Sequence, residues 1–447
     1  FSIRLFLSKD ERTIHRFDRC ALAALSLFLL ASVGFLTTAI FAAVFILAWA
    51  MVILMMKFPH HQRKYVLWVG IPILCGPLIY YKYRVFLIQG VLGLENITFE
   101  KLAIPAGISF YTFQKVAMLI DASRMKEWKP KFLDYINFAS FFPQVVAGPI
   151  ERRGSLFPQV ENFRFKLVGK HLNQGAPWIA LGFFYKLCLA DNLSTFIDKD
   201  AMASAWPIVL CTILFGLKIY FDFCGYSLIA LGLAKCLGID LTLNFTSPYW
   251  SGSIREFWRR WHISLSYWFR DYIYIPMGGG QSKHWWFNLL AVFILSGIWH
   301  GAGWGFLIWG ALHGSFSVIS HFFKEKFRLP WLLGWPITTM CVFIAWLPFY
   351  ETRTGILWEK VRILCTPHAW TFSSFTSFFA SYDSGRLLTM SAAILLCLTT
   401  ILLEGICRIR GKSDYSHAGH PLTIAFCIAS VVVLGAIESN DFVYFSF

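Results

Sequence analysis

The sequence predicts an all-α polytopic membrane protein with about eleven transmembrane helices. Hydrophobic residues occupy 57% of the 447 positions and charged residues only 15%, whereas soluble domains are typically about 45–50% apolar and about 25% charged. Mean hydropathy is +0.57. Long uncharged runs recur along the whole chain, a pattern typical of helices that cross a bilayer. Runs of this length disfavour a transmembrane β-barrel, whose strands give short alternating segments.

The net charge of +15 does not indicate a nucleic-acid-binding protein. Lysine and arginine cluster instead at the ends of apolar runs, where they act as topology signals. These clusters are Lys57/Arg63/Lys64, Arg152/Arg153, Lys324/Lys326/Arg328 and Arg408/Arg410/Lys412. The eleven cysteines are scattered, without a Cys-x-x-Cys motif or a Cys/His cluster. Neither disulfides nor a metal site is therefore predicted.

The first apolar run extends from Cys20 to Met56 and is uncharged over 37 residues. One straight helix of that length would be about 55 Å long, against a hydrocarbon core about 30 Å thick. We therefore expect a helical hairpin that turns near Gly34–Thr38. Basic residues flank both of its ends: Arg4, Lys9, Arg12, Arg16 and Arg19 before it, and Lys57, Arg63 and Lys64 after it. A hairpin places both flanks on one side, which the positive-inside rule assigns to the cytoplasm.

Further membrane spans are predicted where uncharged runs recur. They are Tyr65–Tyr81, Leu102–Ile120, Pro177–Leu193, Pro207–Tyr220 with a continuation at Tyr226–Leu237, Trp285–Trp299, Trp304–His321, Trp331–Tyr350, Leu387–Cys407 and Leu422–Ala436. The segment Ile136–Ile150 contains Pro143, Gly148 and Pro149 and is short enough to be re-entrant. The polar and aromatic segment Gly355–Arg386 is expected to be an external loop.

We expect a single membrane domain over residues 1–447. It comprises the N-terminal hairpin at 20–56, a core at 102–320 that carries the motifs described below, and C-terminal helices at 331–447 with the loop near 355–386. Neither an internal repeat nor a linker between soluble domains is seen.

One charged and aromatic segment, Arg255–Asp271, interrupts the apolar pattern; we call it the aromatic-basic segment. On a continuous helix with about 100° per residue, one sector is basic and holds Arg255, Arg259, His262, Ser266 and Arg270. A second sector is hydrophobic and holds Phe257, Trp261, Leu265, Trp268, Tyr272 and Ile275. The pattern fits an interfacial helix with arginines on lipid phosphates. It equally fits a cavity wall, with His262 facing substrate and arginines holding an anionic group such as a phosphate.

A second histidine, His300, lies in a stretch without charge from residue 289 to 323. Ionisable groups at membrane depth are costly, so each is a functional hypothesis by default. His300 is either a packing histidine bonded across helices or a general base that takes a proton from a hydroxyl. On one continuous helix His313 would face roughly 140° away from it. We therefore expect His313 to support the site, unless the intervening glycines break the helix.

Several motifs resemble those of the membrane-bound O-acyltransferase family, above all the bacterial branch that O-acetylates alginate, related exopolysaccharides or peptidoglycan. The longest is EFWRRWHISLSYWFRDYIYIPMGG at 256–279. The others are IPAGISFYTFQ at 104–114, FPQVVAGP at 142–149, YFDFCGYS at 220–227, IWHG at 298–301 and DFVYFSF at 441–447. The resemblance runs from about residue 65 to the C-terminus. The chain departs from the alginate type in 355–386 and at Cys224, which leaves the acceptor open.

The resemblance implies a ring of helices around a central funnel, with the acyl donor entering from the cytoplasm and the acceptor from the other face. His300 matches the family's invariant histidine in a hydrophobic segment, and His262 matches an Asn or His position upstream. We expect His300 to act as general base and His262 to orient a substrate or share the proton. Candidate donor- or substrate-binding residues are Arg255, Arg259, Trp299 and Ser266. His313 and Asp271 are expected to support the site.

The predicted function is therefore acetyl transfer in the bacterial cytoplasmic (inner) membrane, with acetyl-CoA as donor and no bound cofactor or metal. The acceptor is expected to be a hydroxyl of an extracytoplasmic polysaccharide or peptidoglycan, or a serine of a periplasmic SGNH-type acetyltransferase partner. One alternative is transfer of D-alanyl or another acyl group by the same fold. Another is a polysaccharide or lipid transporter, for which many spans and intramembrane charges are equally expected. An acyl-enzyme on Ser264, Ser266 or Ser296 also stays open.

Overall fold

The computed structural model describes residues 10–94, 96–100, 102–166, 168–326, 330–436 and 442. All regular secondary structure within these residues is helical, which confirms the predicted all-α class. The chain divides into two compact units, Phe1–Ile179 with Ile229–Leu243 and Ala180–Leu228 with Asn244–Phe447. The single domain over 1–447 stays a prediction. Apart from Phe442, the motif at 441–447 lies outside the described residues, as do the N-terminal Arg4 and Lys9.

The first unit begins with α1 (Glu11–Val33) and α2 (Phe35–Lys57), which meet at Gly34. The φ of Gly34 is 149°, a conformation that is strained for residues with a side chain. The long uncharged run is thus divided inside the predicted turn. The unit continues with α3 (Arg63–Leu78), α4 (Ile108–Arg124), α5 (Phe132–Ser140), α6 (Phe142–Val145) and α7 (Arg153–Glu161).

The segment Ile136–Ile150, predicted to be re-entrant, overlaps the two short helices α5 and α6. These have 9 and 4 residues, whereas a spanning helix needs about 20. The segment therefore holds no helix long enough to cross a bilayer.

The remaining helices follow in chain order. The chain changes from one unit to the other within α8, within α10 and after Leu243. They are α8 (Gly169–Phe183), α9 (Asp191–Ser194), α10 (Ala205–Cys236), α11 (Ile254–Trp258), α12 (Ile263–Phe269), α13 (Trp285–His300), α14 (Trp304–Lys326), α15 (Trp331–Tyr350), α16 (Thr354–Leu364), α17 (Phe372–Ala380), α18 (Ser384–Ile409) and α19 (Pro421–Leu434). Helix α10 is continuous over 32 residues, although the sequence predicted a main span with a separate continuation.

Five helices among the described residues are long and apolar enough to cross a membrane, which supports a polytopic membrane protein. They are Phe35–Lys57, His60–Tyr83, Ala205–Cys236, Trp331–Tyr350 and Ser384–Ile409. Trp285–His300 and Pro421–Leu434 are shorter apolar helices. The count of about eleven spans and the ring with a central funnel stay predictions.

The prediction of a loop at 355–386 is wrong, because α16 and α17 occupy most of that segment and α18 begins within it. In α16 the buried Lys360 Nζ lies 2.9 Å from Glu351 Oε2, so this helix packs through a buried ion pair. In α17 the Thr371 hydroxyl accepts a hydrogen bond from the N–H of Ser374 at 3.2 Å and caps the helix. The polar residues that suggested a loop are thus partly the caps and ion pairs of short helices. The prediction that residues 355–386 lie outside the membrane stays a prediction.

Candidate active site

The aromatic-basic segment is not one helix. Helix α11 ends at Trp258, α12 begins at Ile263, and His262 between them has φ 43° and ψ 57°. This left-handed conformation costs a residue with a side chain about 1–2 kcal/mol. The helical wheel predicted for the segment is therefore wrong, because a constant 100° step does not continue through His262. The break gives the His262 imidazole a direction that it would not have on a regular helix.

Asn244 stabilises this break from a distant part of the chain. Its carbonyl accepts a hydrogen bond from the N–H of Ile263 at 3.0 Å. Its side-chain oxygen accepts another from the N–H of Ser264 at 3.2 Å. The His262 side chain does not cap α12, so Asn244 satisfies amide groups that the start of a helix leaves without intrahelical partners. Sequence analysis did not select Asn244, because the bonds span about twenty residues and follow no local pattern.

Glu256 organises the first part of the segment. Its N–H donates to the Ser253 hydroxyl at 3.2 Å, and its Oε2 accepts from the N–H of Gly252 at 2.8 Å. Its Oε1 pairs with Arg260 at 3.2 Å and also with Arg408. The Ser-x-x-Glu spacing of a capping box was a usable signal for this residue, but sequence analysis did not single it out.

A buried carboxylate supports the aromatic residues that flank His262. Glu404 accepts hydrogen bonds from the hydroxyls of Tyr185 at 2.7 Å and Tyr220 at 2.8 Å. The Tyr220 ring in turn contacts Phe245 and Trp261, with centroid distances of 5.8 and 6.1 Å. The bonds join residues 219 and 184 positions apart, so sequence analysis did not detect them.

His300 is the last residue of α13, and close helix packing determines its position. A Cβ at Gly297 would lie 2.2 Å from the backbone oxygen of Phe306, and a Cβ at Gly310 would lie 2.4 Å from that of Phe293. Both distances are below van der Waals contact, so glycine is required for α13 and α14 to approach this closely. This pairing brings the end of α13 against α14.

The glycines also break the helix between His300 and His313, the exception anticipated from the sequence. The two histidines lie on α13 and α14, and each packs edge-on against Trp309, with centroid distances of 4.9 and 4.8 Å. His313 is fully buried and also contacts Trp258 at 4.9 Å. A supporting role through Trp309 therefore stays the prediction for His313.

The structure brings His262 and His300 together within the second unit. Their ring centroids are 6.4 Å apart, and their exposed fractions are 0% and 2%. Trp299 contacts both rings, at 5.8 and 5.0 Å. Phe223 packs edge-on against His262 at 4.6 Å, and Phe349 lies 5.3 Å from His300. Two imidazoles thus share an enclosed aromatic environment.

Helix α10 contributes Phe223 to this environment, and the preceding residue fixes the helix there. Asp222 lies 2.8 Å from the Lys186 ammonium, which is also 2.8 Å from Asp191. Both carboxylates are fully buried. A buried charge that loses its partner is strongly destabilising, so these ion pairs fix the position of α10 beside His262.

Burial gives His262 the character of a neutral group. Desolvation disfavours the imidazolium and lowers the pKa of His262 to about 3. The ring is therefore neutral at pH 7 and offers one hydrogen-bond donor and one acceptor. A general base works best with a pKa near the operating pH, so His262 is suited to orienting a reactant rather than to carrying the proton.

The arginines proposed for donor binding are not enclosed with the histidines. Arg255 and Arg259 are both exposed, and the guanidinium of Arg255 contacts the His321 imidazole. Their assignment to donor phosphates stays a prediction, and it requires a donor that reaches the surface of the segment.

The remaining candidates occupy different surroundings. The Ser266 hydroxyl donates to the backbone oxygen of Trp261 at 3.4 Å, so it interacts with the turn that contains His262. Asp271 pairs with the adjacent Arg270 at 2.6 Å, and that pair is partly exposed. Of the residues predicted beside the histidines, Trp299 is the one whose ring contacts both.

Comparisons with known proteins agree with the motifs. Residues 92–352 match the membrane-bound O-acyltransferase family. The chain is 34% identical over 330 residues to the peptidoglycan O-acetyltransferase of Helicobacter pylori, covering 65% of this chain and 63% of that protein. It is 33% identical over 346 residues to a "probable alginate O-acetylase" of Azotobacter vinelandii, covering 73% and 67%. It is 30% identical over 260 residues to the teichoic acid D-alanyltransferase of Bacillus subtilis, covering 52% and 68%.

The chain thus spans about two thirds of the length of the curated relatives named above. The family match covers more than half of the chain and includes Asn244, His262 and His300. On these grounds the chain belongs to the membrane-bound O-acyltransferase family.

Proposed function

We propose that this protein is an acetyltransferase of the bacterial inner membrane, which moves an acetyl group from acetyl-CoA on the cytoplasmic side to a hydroxyl on the other side. The observation that carries the proposal is the enclosed pair of imidazoles, 6.4 Å apart between ring centroids, inside the segment that matches the family. The acceptor is an extracytoplasmic polysaccharide or peptidoglycan, or a serine of a periplasmic acetyltransferase partner.

In the proposed reaction His300 removes the proton from the acceptor hydroxyl. The oxygen attacks the carbonyl carbon of the acetyl thioester and forms the new ester bond. The carbon–sulfur bond breaks, and the leaving thiolate takes up the proton from the His300 imidazolium. The proton that His300 takes from the hydroxyl thus ends on the thiol of coenzyme A, and one ester bond replaces one thioester bond. The reaction needs neither a metal nor an acyl-enzyme.

His262 and Trp299 have positioning roles in this proposal. The neutral His262 can donate a hydrogen bond to a reactant, while its depressed pKa keeps it from competing for the proton. Trp299 contacts both imidazoles and limits water around them, which strengthens electrostatic interactions in the site.

The test compares two buried histidines. Purified His300→Gln protein in nanodiscs should transfer labelled acetyl from acetyl-CoA about 10²–10⁴ times more slowly than the parent, the usual contribution of a general base. His313→Gln is the matched control, because His313 is equally buried and packs on the same Trp309. Because its predicted role is support of Trp309 and not proton transfer, His313→Gln should slow acetyl transfer far less than His300→Gln does. A His300→Gln protein that is folded and transfers acetyl at the parental rate would overturn the proposal.

A second candidate function keeps the family and changes the acyl group. The teichoic acid D-alanyltransferase of Bacillus subtilis is 30% identical over 260 residues. Mass spectrometry of surface glycans from cells with and without the protein distinguishes the two, since acetyl and D-alanyl esters differ in mass. A transporter would instead give glycan export that does not depend on acetyl-CoA and leaves no ester attached.

A further inference from the structure

A basic pocket lies in the first unit, between the start of α1 and the segment that leads into α5. Its volume is about 420 Å³, and its lining residues are Arg12, His15, Arg16, Arg19, Cys20, Lys131 and Leu133. Four of these side chains are permanent cations, and the lining contains no carboxylate. Such a concentration of one charge favours an anionic ligand.

Three carboxylates lie near the pocket without belonging to its lining: Asp134, Asp18 and Glu161, whose charge acts on Arg19. Asp134 pairs with the guanidinium of Arg19, and a carboxylate oxygen of Asp18 accepts from the N–H of Phe165 at 3.1 Å. One of the four cations is therefore neutralised by a neighbour. The three others, Arg12, Arg16 and Lys131, are exposed at the pocket.

Arg19, the buried cation of the pocket, has a hydrogen-bond donor that is not satisfied by any described residue. Arg19 is 8% exposed, and among the described residues its Nε has no hydrogen-bond partner. A buried donor without an acceptor is destabilising. An anion held in the pocket would supply that acceptor, and arginine pairs especially well with phosphate oxygens.

The position of the pocket along α1 indicates what carries the anion. Charged residues occur in α1 up to Arg19, and none follows from Cys20 to Val33. The pocket lining crosses this boundary, because Cys20 and Leu133 belong to it. A ligand seated here therefore meets cations at one end and apolar surface at the other, as a phospholipid does at the membrane interface.

We propose that this pocket binds the phosphate of an anionic membrane phospholipid. Arg12, Arg16 and Lys131 attract the headgroup, and Arg19 donates from the base of the pocket. The sequence predicts that this flank is cytoplasmic, the side on which anionic lipids attract polybasic segments. The site is independent of the acetyl-transfer proposal, because it uses none of the residues assigned to that reaction.

The test measures lipid binding to the full-length protein by native mass spectrometry, with phosphatidylglycerol in competition with phosphatidylcholine. The double variant Arg12→Gln/Arg16→Gln should bind phosphatidylglycerol about 25-fold more weakly, since each cation near an anionic lipid contributes about fivefold. The matched control is Arg410→Gln/Lys412→Gln, which removes two exposed cations at the end of a different helix. It should bind phosphatidylglycerol as the parent does.

Two results would overturn the proposal. The first is equal preference for phosphatidylglycerol in the parent, the double variant and the control. The second is a pocket that takes a soluble phosphate compound instead: acetyl-CoA or inorganic phosphate would then bind the parent more tightly than the double variant, while phosphatidylglycerol binding stays unchanged. Unchanged thermal unfolding of the double variant would show that lost lipid binding does not reflect misfolding.

Discussion

His262 and His300 have ring centroids 6.4 Å apart, although 38 residues separate them in the chain. Different local structures place them there: a left-handed turn before α12 and the C-terminal end of α13. The two rings also share a contact with Trp299. Because the two rings are this close, substitutions of His262 and His300 can be tested for a joint effect on acetyl transfer.

If the two histidines act on the same reacting group, their substitutions will not be additive. We expect His262→Asn and His300→Gln each to slow acetyl transfer, and the double variant to be no slower than His300→Gln by more than about a factor of two. Residues that act together show this strong non-additivity. The measurement is single-turnover acetyl transfer with the four proteins. Fully multiplicative losses would show that the histidines act in separate steps.

The left-handed turn at residue 262 predicts a strong dependence of stability on side-chain type. His262→Val should lower the free energy of unfolding by at least about 1–2 kcal/mol relative to His262→Asn, because a branched side chain is strained at positive φ and asparagine tolerates it. Thermal unfolding in detergent, followed by tryptophan fluorescence, would measure the difference. Equal midpoints for the two variants would contradict the left-handed conformation.

The depressed pKa of His262 predicts that this residue makes the protein less stable in acid. Its pKa in the folded state is about 3, against about 6.5 in an unfolded chain. Between those values the unfolded state binds more protons, so stability falls as pH falls. From pH 7 to pH 5 His262 should reduce the free energy of unfolding by about 2 kcal/mol.

The control for this pH effect is His262→Asn, which has no proton to bind at that position. The parent protein should lose about 2 kcal/mol more than the variant over the same interval, as measured by unfolding at pH 7 and pH 5. Identical losses in the two proteins would show that His262 titrates normally in the fold.

Asn244 offers a way to disturb His262 without touching a reactant. Asn244→Ala removes the acceptor for the N–H of Ser264, and loss of such a cap costs about 1 kcal/mol. We expect kcat to fall while KM for acetyl-CoA changes little, because the imidazole loses its fixed orientation. Asn244→Asp keeps the acceptor oxygen and should restore most of kcat. If Asn244→Asp and Asn244→Ala have the same kcat, the side-chain oxygen of residue 244 does not orient His262.

Close packing of α13 and α14 predicts that Gly297→Ala is destabilising. The added Cβ would lie 2.2 Å from the backbone oxygen of Phe306, and overpacking of this kind costs about 1–3 kcal/mol. Gly355→Ala is the matched control, since a Cβ there meets no atom within 4 Å. The readouts are thermal unfolding and acetyl transfer. A Gly297→Ala protein that is as stable and as active as Gly355→Ala would contradict the packing.

The helices were the most predictable part of the fold. The span predicted at Trp331–Tyr350 has the same ends in the structure, because a long uncharged run is a local property of the sequence. Short amphipathic helices were not predictable in the same way. The segment 355–386 forms α16 and α17 although its composition suggested a loop. Lys360 is accommodated in a buried position by its ion pair with Glu351 and by a hydrogen bond that it donates to the backbone oxygen of Lys199.

The geometry of the candidate site was not predictable from the sequence, and the roles of its residues stay predictions. The residue pattern and the motif resemblance both selected His262 and His300, and the IWHG motif places Trp299 next to His300. The helical wheel then gave the wrong orientation for the aromatic-basic segment, because it assumed one continuous helix. Asn244 holds that segment through bonds to residues about twenty positions away. Glu256 combines local bonds, whose spacing was a usable signal, with a pair to the distant Arg408.

By itself the sequence determined that the chain is an α-helical membrane protein with two candidate reactive histidines. The length of an apolar run and the identity of a residue are local properties of the chain and do not depend on distant partners. Only the tertiary structure decided that the aromatic-basic segment breaks at His262, and that His262 and His300 share one enclosed environment. The physical reason is that these features depend on distant partners. Asn244 satisfies the first amides of α12, and the glycines of α13 and α14 let two backbones meet.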